Sequence, residues 1–446
     1  AYESSPIPSQ MEHTQYAFGV RDYIRYENLL DSIRWDINDF VDWVASDNPR
    51  TKYRNLITQS GGDTSDYPEN ALETVFYPTN KIRLPVNKEN VIKSGLVKEK
   101  DSDLILDYID IDLPETIITK NQIMMLDILA NNNWERPIYF TGGSYEESEY
   151  IWMKDYLQLD GLVYKLVPIK TSIENNPYEM GRIDSDLMYN IVKKWSWGNS
   201  ESDEIYHDPE TRKNSISFRG NLSRLSEKLI SEGEYEKAEE ILDLAFSKMP
   251  IDYYGYYSLW TPLVKSYYDI GKSEKVKEIV QKLSFKYSDR LSYFSSLEIF
   301  NQYDVGEEII SDIERFRNLI ETIQESGERE ILADQIKSFI SSSEQFNYIY
   351  GEYDYYISLS NFLVSLLELN EVEYSMSVID KIEEQLIRRV SVFSNIDEDE
   401  QVYYLEGITS DINQYSRLIN QIEVYDIDAY NKYDKNLKDM LARMIE

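Results

Sequence analysis

The sequence predicts an α+β N-terminal domain followed by an all-α helical-repeat domain of tetratricopeptide-like (TPR-like) type. Three observations lead there. Residues 72–170 contain short apolar runs rich in tyrosine and β-branched residues, punctuated by Pro, Gly, Asn and Asp, the pattern of strands and turns. A glycine- and charge-rich stretch at 197–204 interrupts that pattern. Beyond it, apolar residues recur at spacings of three and four to the end of the chain, and two segments share one repeat grammar. At 446 residues the chain exceeds what one core usually serves, so more than one domain is expected. The reading places the α+β domain at 1–200, a linker at 201–215 and the helical repeats at 216–446.

The first expected element is a helix within 16–53. Ile33, Ile37, Phe40, Val41 and Val44 fall on one stripe, and Pro49 marks a stop. Gly61 and Gly62 then open a loop. Strands are expected at 82–86, 104–111, 137–141 and 162–169, with one helix at 120–131 between the second and third. The repeat grammar follows. A tetratricopeptide unit sets apolar and small residues where two helices cross and glycine in the turn between them. Leu222, Leu225, Ser226, Leu229, Gly233, Tyr235, Ala238, Leu242, Ala245 and Pro250 fit it. So do Trp260, Leu263, Val264, Tyr267, Gly271, Val276 and Val280. Later stripes, Ile309 to Ile323 and Ile331 to Ile340 around Gly327, lose the grammar and are expected to complete and cap the stack. The run holding Phe362, Leu363 and Leu366 reads as a longer apolar segment rather than a third repeat.

Composition excludes several function classes. Lys and Arg number 46 against 81 Asp and Glu, a net charge of −35, which repels nucleic-acid backbones and anionic bilayers. Cysteine is absent, so disulfides, thiol nucleophiles and thiolate metal sites are out. Histidine occurs only as His13 and His207, too few and too far apart for a His-rich metal site. No cofactor motif appears, and none is expected. The 38 tyrosines suit cores and binding surfaces alike, since tyrosine joins an apolar body to a polar tip.

Carboxylates are too common for any pair to single itself out. Asp101, Asp103, Asp107, Asp110 and Asp112 cluster but lack calcium-loop spacing, and read as a solvated strand edge. Asp397 to Glu400 precede a helical stripe, where negative charge complements the helix dipole. Thr141, Gly142, Gly143 and Ser144 read as a strand-exit turn rather than an anion cradle.

Four segments carry a family resemblance. YPTNKIRLPVNKENV at 77–91, KNQIMMLDILANNNWERPIYFTGG at 120–143 and DYLQLDGLVYKLVPIK at 155–170 resemble, in order, a bacterial membrane-protein family common in Bacteroidetes and related to protein O-mannosyltransferases. The opening YESSPIP and YAFGVRDY is similar to the segment just after that family's membrane domain. The resemblance implies a GT-C glycosyltransferase membrane domain upstream of Ala1, taking a sugar from a polyprenyl-phosphate donor to Ser or Thr of exported proteins. It implies that this region lies on the periplasmic side of the bacterial inner membrane. It transfers no catalytic residue here. The implied partners are exported acceptor proteins or peptides and the chain's own N-terminal membrane domain.

Candidate binding residues follow. The inner face of a TPR-like stack is lined by the first helix of each hairpin, which assigns Glu227, Ile230, Lys265, Tyr268 and Asp269 to it. Tyr253, Tyr254, Tyr256 and Tyr257 could grip a peptide or a sugar, or pack between hairpins. Trp134 and Arg136 could hold a glycan or peptide; the competing reading makes Trp134 core and pairs Arg136 with a buried Asp such as Asp127. The functional expectation is a binding, non-catalytic region of a protein O-glycosyltransferase-like protein. The alternatives are a stand-alone periplasmic TPR-like adaptor and a soluble hydrolase.

Overall fold

A computed structural model describes residues 23–30, 33–141, 151–171 and 180–445. The chain divides into two compact units, Ala1–Ser196 and Trp197–Glu446. The first mixes short strands with helices, and the second is mostly helical.

Three small sheets build the first unit. β1 (Tyr23–Tyr26) lies between β3 (Phe76–Tyr77), parallel, and β6 (Ile117–Thr119), antiparallel. In the second sheet, β4 (Lys81–Pro85) lies between β2 (Trp35–Asp36) and β5 (Tyr108–Asp112). The third pairs β9 (Val163–Leu166) with β7 (Tyr139–Thr141) on one side and β8 (Leu157–Asp160) on the other. The helices are α1 (Ile37–Ala45), α2 (Tyr53–Gln59), α3 (Glu69–Leu72), α4 (Lys88–Lys93), α5 (Lys120–Asn132) and α6 (Ser185–Val192).

The single helix expected within 16–53 is corrected. Ile37, Phe40, Val41 and Val44 do form the buried stripe of α1, capped by the Asp36 side chain. Ile33, however, is exposed, and Tyr23–Tyr26 is a strand. YIRY alternates outward and inward, with Ile24 fully buried, which is a period of two rather than 3.6. Four of the five clustered aspartates are paired with cations, and Asp103 is exposed. Asp110 accepts two hydrogen bonds from Arg83, Asp112 pairs with Arg34, Asp107 with Lys88 and Asp101 with Arg182. The Arg83 bonds hold the Asp110 carboxyl below its ordinary range. Among the described residues no carboxylate and histidine cluster is arranged to hold a metal ion. Gly142, Gly143, Ser144 and His13 lie outside the described residues.

The second unit is a series of helical hairpins. Its helices are α7 (Pro209–Ser231), α8 (Tyr235–Lys248), α9 (Ile251–Tyr254), α10 (Thr261–Asp269), α11 (Ser273–Ser295), α12 (Ile299–Asp304), α13 (Gly306–Glu325) and α14 (Leu332–Ser343). They continue with α15 (Asn347–Tyr350), α16 (Glu352–Ser358), α17 (Ser360–Glu368), α18 (Val372–Ser394), α19 (Glu398–Ile422) and α20 (Ile427–Ile445). Residues 209–215, expected in a linker, are instead the first turns of α7, which begins at Pro209 with Asp208 as its cap.

The hairpin turns are more alike than the sequence suggested. Gly233, Gly271, Gly327 and Asn370 all take positive φ, between 65° and 79°, at the ends of α7, α10, α13 and α17. At three of them the same hydrogen-bond pair closes the helix: Gly233 N–H to Ile230 O and Glu234 N–H to Leu229 O, repeated at 271–272 and 370–371. Four residues before each turn stands a buried Leu229, Tyr267, Ile323 or Leu366; nine after it stands a buried Leu242, Val280, Ile336 or Ile379. The apolar run at 360–369 is therefore the first helix of a further hairpin, with asparagine in the glycine place. Asparagine hid it, because it tolerates the left-handed region without announcing a turn. Asn370→Gly is expected to leave stability within about 1 kcal/mol of the parent, and Asn370→Val to cost about 1–2 kcal/mol. Chemical denaturation of the two variants checks both.

An aromatic spine runs through the hairpins. Tyr257, Tyr287, Phe316, Phe339 and Phe362 contact in sequence, with ring centroids 5.3 to 5.8 Å apart. No helix among the described residues is long and apolar enough to cross a membrane.

Candidate functional site

Trp134 and Arg136 sit where α5 ends. Thr119 and Gln122 close a capping box at its start. Its end is unusual: Asn133 and Trp134 both have positive φ, 44° and 61°. Neighbours hold this strained turn. Asn90 donates to the Asn133 carbonyl at 2.9 Å, Asn87 to its side chain at 3.3 Å, and the Trp134 indole N–H to Pro85 O at 2.7 Å. Two of the segments quoted above for resemblance thus dock on each other here. Trp134 is 4% exposed and belongs to the core. The adjoining cavity is only about 10 Å³, room for about one water molecule, so no glycan or peptide enters beside it. Arg136 is exposed and makes no ion pair among the described residues, so its expected pairing with Asp127 is corrected. Buried Asp127 instead accepts from Asn131, one turn along α5.

The four tyrosines at 253–257 divide. Tyr254 is buried and donates to Ser200 O at 2.9 Å; Tyr253 stacks on His207 at 5.4 Å. Tyr257 begins the aromatic spine, and Tyr256 alone of the four is exposed. His207 is 7% exposed and bonded to Ser202 O, a packing role. Beneath this loop lies Arg219, fully buried, donating to Gly255 O at 2.8 Å and Tyr256 O at 3.3 Å.

Glu227, Ile230, Lys265, Tyr268 and Asp269 lie on α7 and α10, the adjacent first helices of two hairpins. Ser226 and Ser266 meet at 3.4 Å where these helices cross. Glu227 is exposed and accepts from Ser223; Lys265 and Asp269 pair with each other at 3.2 Å; Ile230 and Tyr268 are half-buried. Burial pushes the Tyr268 hydroxyl well above its ordinary value. This face offers no hollow among those described.

A hollow on the helical unit lies between two later first helices, α13 and α17. It measures about 380 Å³ and is lined by Gln324, Glu328, Arg329, Asn361, Ser365 and Glu368 over Leu332, Val364 and Leu369. Gln324 donates to Ser365 at 2.7 Å, while the exposed Asn361 amide has no protein partner among the described residues.

A larger cleft, about 630 Å³, opens on the first unit. It is lined by Tyr23, Arg25 and Glu27 of the β1 segment, by Tyr53, Leu56, Ile57 and Ser60 of the α2 region, and by Tyr67, Pro68, Ala71, Leu72 and Thr74. The Tyr53 hydroxyl donates to Glu27 at 2.6 Å, and burial first, then this bond, drive its titration far up. Arg25 donates to the Tyr23 hydroxyl at 3.4 Å and stands over that ring at 5.7 Å. Sequence reasoning missed every one of these residues. The only local signal was the Tyr-x-Arg alternation of β1, and it was absorbed into an expected helix.

Residues 1–187 match the family described as TMEM260-associated domain 2. TMEM260 is itself a predicted protein O-mannosyltransferase. The match falls within the first unit and stops before the helical hairpins. Searches of curated proteins and of solved structures found no match.

Proposed function

We propose that the chain is the binding, non-catalytic region of a membrane-embedded protein O-glycosyltransferase on the periplasmic side of a bacterial inner membrane. The observation that carries this reading is the match of the first unit to a domain associated with TMEM260. The role assigned to the helical unit is to hold the exported acceptor polypeptide. Its support is the hollow between α13 and α17. There the Asn361 side-chain amide offers both N–H donors and a carbonyl acceptor, which match the acceptor and donor of an extended peptide group. Glu328 and Glu368 at the rim favour acceptors with neutral or basic residues beside the modified Ser or Thr.

The test uses cells of the source organism. A photo-crosslinking residue at position 361 is expected to capture exported, Ser/Thr-rich polypeptides, whereas one at Glu236 on α8 is not. Asn361→Arg should lower affinity for a captured acceptor peptide at least tenfold. The antigen itself should fractionate as a detergent-released membrane protein far heavier than this chain. A soluble antigen of this chain's own size would sink the glycosyltransferase reading.

A further inference from the structure

The cleft on the first unit supports an inference that does not rest on acceptor binding. β1, which lines it, is the middle strand of its sheet, paired with β3 on one edge and β6 on the other. Tyr23, Ile24 and Arg25 pair with β6, and Arg25 and Tyr26 with β3, which leaves a peptide little strand edge there to extend.

The cleft lining sets three tyrosines, one guanidinium, one carboxylate and the hydroxyl residues Ser60 and Thr74 beside an apolar remainder that includes Leu56 and Ile57. Arg25 and Glu27 cancel in charge within one cleft, on a chain whose net charge is −35. An anionic ligand would face Glu27 and the protein's field; a cationic one would face Arg25. A neutral ligand faces neither penalty. Arg25 supplies only donors, and the Glu27 carboxylate supplies only acceptors. One Glu27 oxygen takes the Tyr53 hydroxyl at 2.6 Å, which fixes the carboxylate in place. A ligand using both therefore needs groups that donate and accept, which is the property of a hydroxyl. Around them stand the rings of Tyr67, half exposed, and Tyr23, which carries Arg25 over one face at 5.7 Å, and ring faces prefer apolar C–H surfaces. A polyhydroxylated ring with C–H faces has both properties. The volume lies within the roughly 300–1,000 Å³ of small-molecule sites.

We propose that this cleft is a saccharide-binding site for neutral pyranosides. Tyr67 and Tyr23 take the C–H face of the sugar, and Arg25 and Glu27 bind its hydroxyls.

The experiment is saturation-transfer NMR with calorimetry on the intact chain. The probes are methyl α-D-mannopyranoside, methyl β-D-glucopyranoside and a neutral mannotriose, with glucuronate as the charged control and a Ser/Thr peptide as the polypeptide control. Transfer to the ring protons of at least one neutral glycoside is expected. Arg25→Ala and Tyr67→Ala should each weaken that binding at least tenfold. Tyr67 is exposed, so its loss is not expected to unfold the unit, and thermal melts verify this for both variants. Asn361→Arg should leave sugar binding unchanged, which separates this site from the acceptor groove. No transfer with any neutral probe, equal affinity in the two cleft variants, preference for glucuronate, or peptide binding in place of sugar would each overturn the assignment.

Discussion

Raising the pH from about 9 to about 11 is expected to unfold the helical unit cooperatively. An unfolded tyrosine loses its proton near about pH 10. Tyr267, Tyr287, Tyr353, Tyr355, Tyr415 and Tyr433 are each no more than 5% exposed, and burial drives their hydroxyls well above that value. Above about pH 10 the unfolded state binds fewer protons than the folded one. The stability these groups contribute is fully present below about pH 10 and falls away as pH climbs toward their raised folded values. Each share falls by about 1.4 kcal/mol per pH unit, so six lose about 8 kcal/mol by about pH 11, against a typical net stability of about 5–15 kcal/mol. Buried Arg219 works in the opposite sense. Desolvation lowers it to about 10, so the folded state carries fewer protons in the window above and gains stability there. It is one group against six. Tyrosinate absorbance and the helical circular-dichroism signal should be followed together. The buried set should ionise only as helix is lost. A smooth absorbance rise with no lag, and no loss of helix, would contradict the burial.

Arg219→Met is expected to cost the helical unit about 3 kcal/mol. Arg219 is fully buried and makes no ion pair among the described residues. It donates instead to Gly255 O, Tyr256 O and the Ser215 hydroxyl, and its guanidinium stands 5.0 Å over the Trp260 ring. Gly255 and Tyr256 both hold positive φ, so this loop has few ways to rearrange and satisfy its carbonyls otherwise. Methionine fills much of the volume but donates nothing, and each orphaned buried acceptor costs about 1–3 kcal/mol. Removing an unpaired buried cation offsets part of that. Arg219→Lys, whose ammonium lacks the planar fork, should fall between the two. Urea midpoints of the three proteins order them. A methionine variant as stable as the parent would show that the loop does not depend on this residue.

Legibility followed the range of the interactions. The helices of the hairpins were readable because an amphipathic stripe and a glycine turn are local. Trp260, Tyr267, Val276 and Val280, placed by the repeat grammar, are all buried. Trp134 as core was readable too, from a large aromatic joining a helix to a strand. The hairpin at Asn370 was lost because its turn residue is not glycine. The strand at Tyr23–Tyr26 was lost because four residues carry too little periodicity against a neighbouring helical stripe.

By itself, the sequence determined the two-part division into strand-rich and helical regions, the stripe that most helices bury, and the exclusion of thiol chemistry. It also determined a resemblance that agrees in part with the domain match over residues 1–187. Only the tertiary structure decided where the hollows are. The first-unit cleft collects Tyr23, Glu27, Tyr53 and Tyr67 because β1 pairs between β3 and β6 and brings α2 and the 67–74 segment over its face. The helical hollow opens between α13 and α17, two hairpins beyond the residues the repeat grammar singled out. A binding hollow is a failure of packing between elements distant in sequence, and no local pattern encodes where two surfaces do not quite meet.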